Sequence, residues 1–191
     1  MSLQPINISS YRSFRTDALL RASQDLGYDV DNHYGYQCWD LAAELWMNIP
    51  EFGGQELWPK TGPNSYAEEC WTVSKDINTG NSFIQITDKT QLKLGDVVVI
   101  GPSPISLTGH IAFCDEDYSS DDMMLLGQNQ VNPSLTLGHI PTVTQVNISA
   151  FLGAFRYKDW VQPTPPIPTT SRKSRLPIIL TSLRLQGYNV L

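Results

Sequence analysis

The spacing of apolar positions in the first part of the chain is that of helices. Apolar side chains recur every three or four positions over residues 12–26, and Gly27 follows where such a helix would end. The segment CWDLAAELWMN, residues 38–48, collects Leu, Ala and Trp on one face and is followed by Pro50. We therefore predict helices over these two segments, and a shorter helix over residues 65–75.

Further along, the pattern changes to short apolar runs separated by turn-forming residues, which is typical of strands. The run DVVVI, for example, follows a turn at Leu94 and Gly95. We predict strands at residues 83–86, 96–100, 110–114, 123–127, 142–148 and 151–157. Helices that come first and strands that follow predict an α+β fold, with the N-terminal helices packed on an antiparallel sheet.

Length and composition describe a globular chain. It has 191 residues, of which 41% are hydrophobic and 17% charged, so one domain with a well-buried core is expected. No apolar run approaches the roughly 18 residues that a membrane-spanning helix needs. The segment MSLQPINISSYRSFR at the start also lacks the apolar stretch of a secretory signal peptide. We expect neither a membrane span nor a secretory leader.

The charge of the chain is negative and unevenly distributed. The net charge is −6, all 19 acidic residues lie at or before Asp159, and four of the 13 basic residues lie after it. The acidic first part argues against a nucleic-acid partner, because nucleic acids select basic surfaces. It is compatible with the binding of a hard cation.

The composition changes after Trp160. Residues 161–170, VQPTPPIPTT, contain four prolines and predict an extended linker, which is followed by a basic and then an apolar segment. We therefore divide the chain into a domain of residues 1–160 and an extended C-terminal tail of residues 161–191. The apolar end of the tail either docks on a partner surface or packs back on its own domain, and both alternatives are open.

Three cysteines, Cys38, Cys70 and Cys114, are too few and too widely spaced for a disulfide framework or a C-x-x-C zinc site. One disulfide with one free thiol, and three free thiols, are both open. Cys38 lies where a loop enters the second predicted helix, and the amide groups of a helix N-terminus stabilise a thiolate. The same amides, with the Gln37 side chain, can hold the oxyanion formed when a carbonyl is attacked. A small buried hydrophobe is the alternative interpretation of Cys38.

Two histidines lie in the tripeptide Gly-His-Ile, and their surroundings differ. His110 opens the strand after DVVVI, from where its ring can reach a helix terminus and act as a base. His139 lies next to Ile140 and Pro141, so it is predicted in a loop. Asn129 follows the next apolar run and can orient the ring of His110 by a side-chain hydrogen bond. We prefer His110 as the base, against the alternative of a structural histidine.

The order of these segments resembles a known family. YGYQCWDLAAELW, LKLGDVVVIG, GHIAF, LLGQNQ and FLGAFRY, within residues 12–158, are similar to the CHAP domain, the cysteine- and histidine-dependent amidohydrolase/peptidase. The resemblance implies a papain-like α+β fold and cleavage of amide bonds in bacterial peptidoglycan, as in phage lysins. It implies Cys38 as the nucleophile, His110 as the base and Asn129 as the orienting residue. The frequent glutamate of the family is Gly127 here.

The loop before Cys38 resembles the calcium loop of CHAP domains from staphylococcal phage lysins. DVDNHYG places two carboxylates two positions apart, Asp40 follows the cysteine, and calcium prefers carboxylate and carbonyl oxygens in a tight loop. The resemblance implies a structural calcium ion with three side-chain ligands and two main-chain carbonyl ligands. These are Asp29, Asp31 and Asp40, and His33 and Gly35, respectively. A turn rich in Asp and Asn without metal is the alternative.

The resemblance therefore implies a peptidoglycan hydrolase, either an endopeptidase or an N-acetylmuramoyl-L-alanine amidase. Tyr36, Trp39 and Trp71 either line a groove for the wall peptide or pack in the core. A virion-associated lysin is favoured, in which the tail of residues 161–191 docks on phage tail proteins. The alternative location of the protein is the host cytoplasm before lysis. The competing hypothesis is a catalytically inactive structural or wall-binding module that keeps the fold.

Overall fold

The structure of the chain is a computed structural model. It describes residues 6–49, 66–74, 82–103, 106–131 and 137–160. The tail predicted at residues 161–191 and both ends of the short helix predicted at 65–75 lie outside these ranges. The division into a domain and a tail therefore stays a prediction.

The described residues form three α-helices, each in a segment for which a helix is predicted. They are α1 (Tyr11–Ala22), α2 (Cys38–Met47) and α3 (Glu69–Ser74). The Ser10 hydroxyl caps α1 by accepting from the backbone N–H of Ser13 at 3.1 Å. α1 ends before its predicted end because Asp25 is left-handed (φ 57°) and the Leu26 N–H returns to the Arg21 carbonyl at 3.1 Å.

The described residues also form a six-stranded sheet, and every strand overlaps a predicted one. The strands are β1 (Phe83–Ile86), β2 (Val97–Ile100), β3 (His110–Cys114), β4 (Asp122–Gly127), β5 (Thr142–Asn147) and β6 (Phe151–Tyr157). Their order is β1-β6-β2-β3-β4-β5, and all neighbours are antiparallel. A short 3-10 helix, Lys89–Gln91, precedes β2. The predicted α+β fold with an antiparallel sheet is confirmed.

Alternate residues of β3 face two different apolar clusters. Ile111 and Phe113 pack with residues of α1 and α2, whereas Ala112 and Cys114 pack with apolar residues on the opposite face of the sheet. Burial of both faces supplies the main favourable term of folding. Helix α2 packs on β3, and this contact brings the first residue of the helix, Cys38, to the start of the strand.

The cysteines and the helices of the described residues bear on two expectations from the sequence. Cys38, Cys70 and Cys114 are all free thiols, which decides between the two alternatives that the sequence leaves open. None of the helices in the described part of the chain is long and apolar enough to cross a bilayer.

Candidate functional site

A capping arrangement holds Cys38 at the N-terminus of α2. Gln37 precedes the helix with extended backbone (φ −84°, ψ 162°), and its N–H donates to the carboxylate of Asp40 at 2.8 Å. This bond fixes the first turn of α2, and Cys38 keeps part of its surface exposed. The predicted location of Cys38 at a helix N-terminus is confirmed.

The sulfur of Cys38 lies against backbone N–H groups. Burial raises the pKa of the Cys38 thiol to about 11. The backbone N–H groups of Ile111 and Trp39 oppose this rise, whereas the negative charge of Asp40 adds to it. Cys38 is therefore a protonated thiol at neutral pH. The N–H groups around it favour negative charge once that charge forms.

His110 begins β3, one residue before Ile111, and is buried. Gly109 leads into it with φ 74°, and a Cβ at that glycine would lie 2.6 Å from the carbonyl oxygen of Ile100. Burial lowers the pKa of His110 to about 4, although the hydrogen bond between its ring and Oε1 of Gln130 acts in the opposite direction. The imidazole is therefore neutral at pH 7.

The hydrogen bond to the His110 ring involves Gln130, whose Oε1 lies 3.2 Å from Nε2 of the imidazole. The side chain of Asn129 instead donates to Oε1 of Gln37 at 2.8 Å, from a left-handed backbone (φ 52°). The orienting role of Asn129 stays a prediction, and Gln130 is a site residue that the sequence reasoning missed. Its signal lay in LLGQNQ, where a second glutamine follows Asn129.

Side-chain amides tie the loop before Cys38 to the turn after β4. Nε2 of Gln37 donates to the Tyr34 carbonyl at 2.6 Å, and the Gln37 carbonyl accepts from Nε2 of Gln128 at 2.9 Å. Gln128 also bonds both backbone groups of Tyr28, at 2.6 and 3.0 Å. The predicted contribution of Gln37 to an oxyanion site stays a prediction.

The second histidine also lies beside this loop. The N–H of His139 donates to the Tyr36 carbonyl at 2.9 Å, and its carbonyl accepts from the N–H of Asn129 at 3.1 Å. Its ring Nδ1 is buried and has no hydrogen-bond partner among the described residues. As predicted, His139 lies between strands rather than in one, so it offers a natural comparison for His110.

The three aromatic residues predicted to line a groove all make contacts inside the domain. Trp39 and Trp71 pack against the apolar cluster of α1 and α2 while keeping partial exposure. The Trp71 ring covers Gly153, and the Tyr36 ring covers Gly27, so that a Cβ at either glycine would clash with the ring. Contact of these aromatic residues with a substrate stays a prediction.

The three predicted carboxylate ligands converge in space. One carboxylate oxygen from each of Asp29, Asp31 and Asp40 lies within 4.8 Å of the other two. Burial raises the pKa of Asp40 to about 7, against the N–H groups of Val30 and Gln37 that donate to it, and the charges of Asp31 and Asp29 add to the rise. The cluster is a set of hard oxygen donors, which suits calcium.

The loop that carries the two predicted carbonyl ligands turns tightly. Gly35 has φ 65°, and a Cβ there would lie 2.5 Å from the carbonyl oxygen of Leu137. Its own carbonyl accepts from the Gln37 N–H at 2.9 Å, and the N–H of His33 donates to Oδ1 of Asp31 at 2.8 Å. Coordination of a metal by His33 and Gly35 stays a prediction.

A cavity of about 210 Å³ opens beside the imidazole of His110. Its lining includes Asn129 and Gln130 from the turn after β4, together with residues of β5 such as Thr144 and Val146. The described residues thus provide a buried imidazole with an adjoining, mainly apolar space.

No protein-family model matches the chain. A D-alanyl-L-alanine endopeptidase of Streptococcus phage B30 is 29% identical over 123 residues, a match that covers 60% of this chain and 25% of that protein. The chain thus spans about a quarter of the length of this curated relative.

One solved endolysin structure is similar to the chain in fold. The crystal structure of the wild-type endolysin LysIME-EF1 matches with a TM-score of 0.54 and 25% identity, over 75% of this chain and 63% of that chain. The structure of Ly7917 matches with a TM-score of 0.45 and 18% identity, over 75% and 62% of the two chains. The chain is thus similar in sequence to a phage endopeptidase and in fold to the endolysin LysIME-EF1.

Proposed function

We propose that the chain is a peptidoglycan hydrolase of the CHAP type that uses Cys38 as its nucleophile. The observation that supports this proposal is the position of Cys38 at the N-terminus of α2, a helix that packs on β3, the strand that begins with His110. Similarity to a phage protein named as an endopeptidase supports an amide bond as the target.

The reaction starts from a neutral pair. His110 takes the proton of the Cys38 thiol as the sulfur attacks the carbonyl carbon of the wall peptide. The Cys38 N–H at the helix N-terminus, and in the family pattern Gln37, stabilise the oxyanion of the tetrahedral intermediate. His110 then protonates the leaving amine, and water, activated by the same imidazole, hydrolyses the thioester and frees the thiol.

A zymogram on purified bacterial walls tests this function, with Cys38→Ala, His110→Ala and His139→Ala beside the wild-type chain. His139→Ala is the matched control, because it removes an imidazole that also lies in a Gly-His-Ile tripeptide but is in a loop. We expect clearing by the wild type and by His139→Ala, and a loss of about 10²-fold or more in the other two variants. Clearing by Cys38→Ala would overturn the proposal.

Mass spectrometry of the released muropeptides identifies the bond. A new amine on a peptide stem or cross-bridge indicates an endopeptidase, whereas free lactyl groups on the glycan indicate an N-acetylmuramoyl-L-alanine amidase. The name of the phage relative supports the endopeptidase.

The alternative function is a structural or wall-binding module without catalysis. The observation in its favour is Gly127, which leaves the site without the carboxylate that is frequent in the family. Co-sedimentation with walls, without release of soluble fragments by any variant in the presence of calcium, would support this alternative.

We further propose that Asp29, Asp31 and Asp40, with the carbonyl groups of His33 and Gly35, hold a structural calcium ion. Convergence of the three carboxylates supports the proposal, and so does the position of Asp40, which also caps α2 at Cys38. The ion would neutralise the cluster and fix the loop before the nucleophile.

Calcium titration by calorimetry tests the metal site directly. Asp31→Asn should abolish binding, whereas Asp122→Asn, an exposed position on β4, makes the same change of net charge and should leave binding intact. Equal heats in the two variants would contradict the proposal.

Attachment to a phage tail is proposed from the sequence of residues 161–191 alone, with its Pro-rich linker and apolar end. Deletion of this segment should leave wall hydrolysis in place and abolish incorporation into particles, measured by immunoblot of purified virions. Unchanged incorporation would remove this part of the proposal.

A further inference from the structure

The side-chain amide of Gln130 is held in one orientation. Its Nε2 donates to the carbonyl oxygens of Leu125 at 3.0 Å and of Thr142 at 2.8 Å, and lies 3.2 Å from the Thr142 hydroxyl. Because these partners are acceptors, the nitrogen of the amide faces them and Oε1 faces His110.

This orientation decides which nitrogen of His110 carries the proton. Oε1 of Gln130 is only an acceptor, and it lies 3.2 Å from Nε2 of the imidazole. Nε2 therefore bears the hydrogen, and Nδ1 holds the lone pair that a base needs. Rotation of the ring would break the bond to Gln130 and leave the buried N–H without this partner.

The space that Gln130 uses exists because residue 127 is glycine. A Cβ at Gly127 would lie 2.6 Å from Oε1 of Gln130 and 3.0 Å from the Cβ of Ala112. Gly127 lies in the strand β4 and has no positive φ. The lack of room for a side chain, and not the backbone conformation, therefore explains why this residue is a glycine. The acceptor of Gln130 thus occupies the place where a side chain at position 127 would begin.

We propose that Gln130 is the positioning residue of His110, and that its amide oxygen occupies the space that Gly127 leaves open. The inference rests on the proposed function, since it assigns the base of that reaction to Nδ1. An amide fixes the tautomer and the ring orientation without adding negative charge. The base would thus belong to a neutral pair, in which Gln130 on the turn after β4 holds the imidazole of His110.

Paired variants separate positioning from packing. Gln130→Met keeps the length of the side chain but loses the acceptor, and Gln85→Met makes the same change at an exposed position of β1, at the far edge of the sheet. We expect Gln130→Met to lower kcat by about 10-fold to 100-fold, a share of the roughly 10²–10⁴-fold that acid–base groups contribute. KM should change little, and Gln85→Met should behave as the wild type.

Rescue at position 127 is the sharper test. Gly127→Glu combined with Gln130→Ala returns an acceptor to the same place after the clashing amide is removed, so it should recover most of the lost kcat. Gly127→Met with Gln130→Ala fills the same space without an acceptor and should not recover it. Recovery by both double variants, or by neither while both remain folded, would overturn the inference.

The tautomer of His110 is measured independently of activity by ¹⁵N NMR of the imidazole. We expect a protonated Nε2 in the wild type and in Gly127→Glu/Gln130→Ala, and a mixture of tautomers in Gln130→Met. An unchanged Nε2–H tautomer in Gln130→Met would refute the role of Gln130. If the wild-type chain cleaves no wall, the proposed function fails, while the NMR result still decides the positioning of His110.

Discussion

Asp96 and Asp40 are both buried carboxylates, but the protein compensates their charges in different ways. Asp96 receives a two-pronged ion pair from Arg156, with Nε and Nη2 each 2.7 Å from a carboxylate oxygen. The N–H of Lys93 adds a third hydrogen bond at 2.8 Å. The positive charge that Asp96 needs is therefore part of the fold, between β2 and β6.

Asp40 lies in surroundings of the opposite kind. Among the described residues it pairs with no Lys or Arg, and the ionisable groups beside it are the carboxylates of Asp29 and Asp31. The contrast teaches that full burial of a carboxylate does not by itself mark a functional site. A buried carboxylate that is grouped with other acids, and has no cation from the fold, is the one that supports a metal site.

The largest effect is expected from removing the cation of Asp96. Arg156→Met leaves a buried charge unpaired, so the free energy of unfolding at pH 7.5 should fall by about 3–5 kcal/mol. Burial already raises the pKa of Asp96, although Arg156 opposes the rise, and loss of the arginine should raise that pKa further. The loss should therefore shrink as the pH falls and Asp96 takes up a proton.

Urea unfolding of Arg156→Met at pH 7.5 and pH 5 measures this effect. Arg12→Met, at an exposed position of α1, removes the same charge and should change stability by less than about 0.5 kcal/mol. Equal losses in the two variants would mean that the buried charge of Asp96 does not depend on Arg156.

For Asp40 in calcium-free buffer we expect a smaller effect on the free energy of unfolding. Its pH dependence should be opposite to that of most carboxylates. The folded-state pKa of Asp40, about 7, lies above the unfolded value, so the folded protein binds more protons between the two, and stability falls as the pH rises through this range. Between pH 5 and pH 8 this contribution amounts to about 2 kcal/mol. The amide in Asp40→Asn has no proton to lose in this range, so the variant should lack this pH-dependent contribution.

The measurement is the difference in unfolding free energy between wild type and Asp40→Asn across that pH range, with a chelator present. Subtraction cancels the titration of groups that both proteins share, including His110. Saturating calcium should remove the slope in the wild type, because the ion competes with the proton for the carboxylate. If this difference in unfolding free energy does not change with pH in the presence of the chelator, Asp40 titrates as an ordinary carboxylate.

Local signals explain why much of the site could be predicted from the sequence. Cys38 and His110 each lie at the start of an element, and helical spacing, strand-like runs and turn residues define such starts over short windows. The loop before Cys38 is likewise a short pattern in sequence, and the carboxylates of Asp29, Asp31 and Asp40 converge as expected. What these predictions shared is that neighbours in sequence determine the position of the residue.

The parts that escaped prediction depend on contacts between distant segments. Gln130 reaches His110 because its amide is held by Thr142 on the next strand, a contact that no short window of sequence contains. Arg156 and Asp96 are 60 positions apart and meet only because β6 pairs with β2. The early end of α1 is a local miss, since Asp25 takes a left-handed conformation that more often belongs to glycine.

The smallest effect is expected at an exposed ion pair, which completes the comparison. Lys93 and Asp117 are 3.0 Å apart, with side chains 47% and 57% exposed, so water screens their attraction. Lys93→Met should change the free energy of unfolding by less than about 0.5 kcal/mol, because Asp117 keeps the N–H of Leu94 at 3.0 Å and remains hydrated. Urea unfolding at low and high salt should show a small difference that disappears in 1 M NaCl, whereas the loss in Arg156→Met should persist, since a buried pair is poorly screened. A large, salt-independent loss in Lys93→Met would mean that exposure does not govern the strength of these pairs.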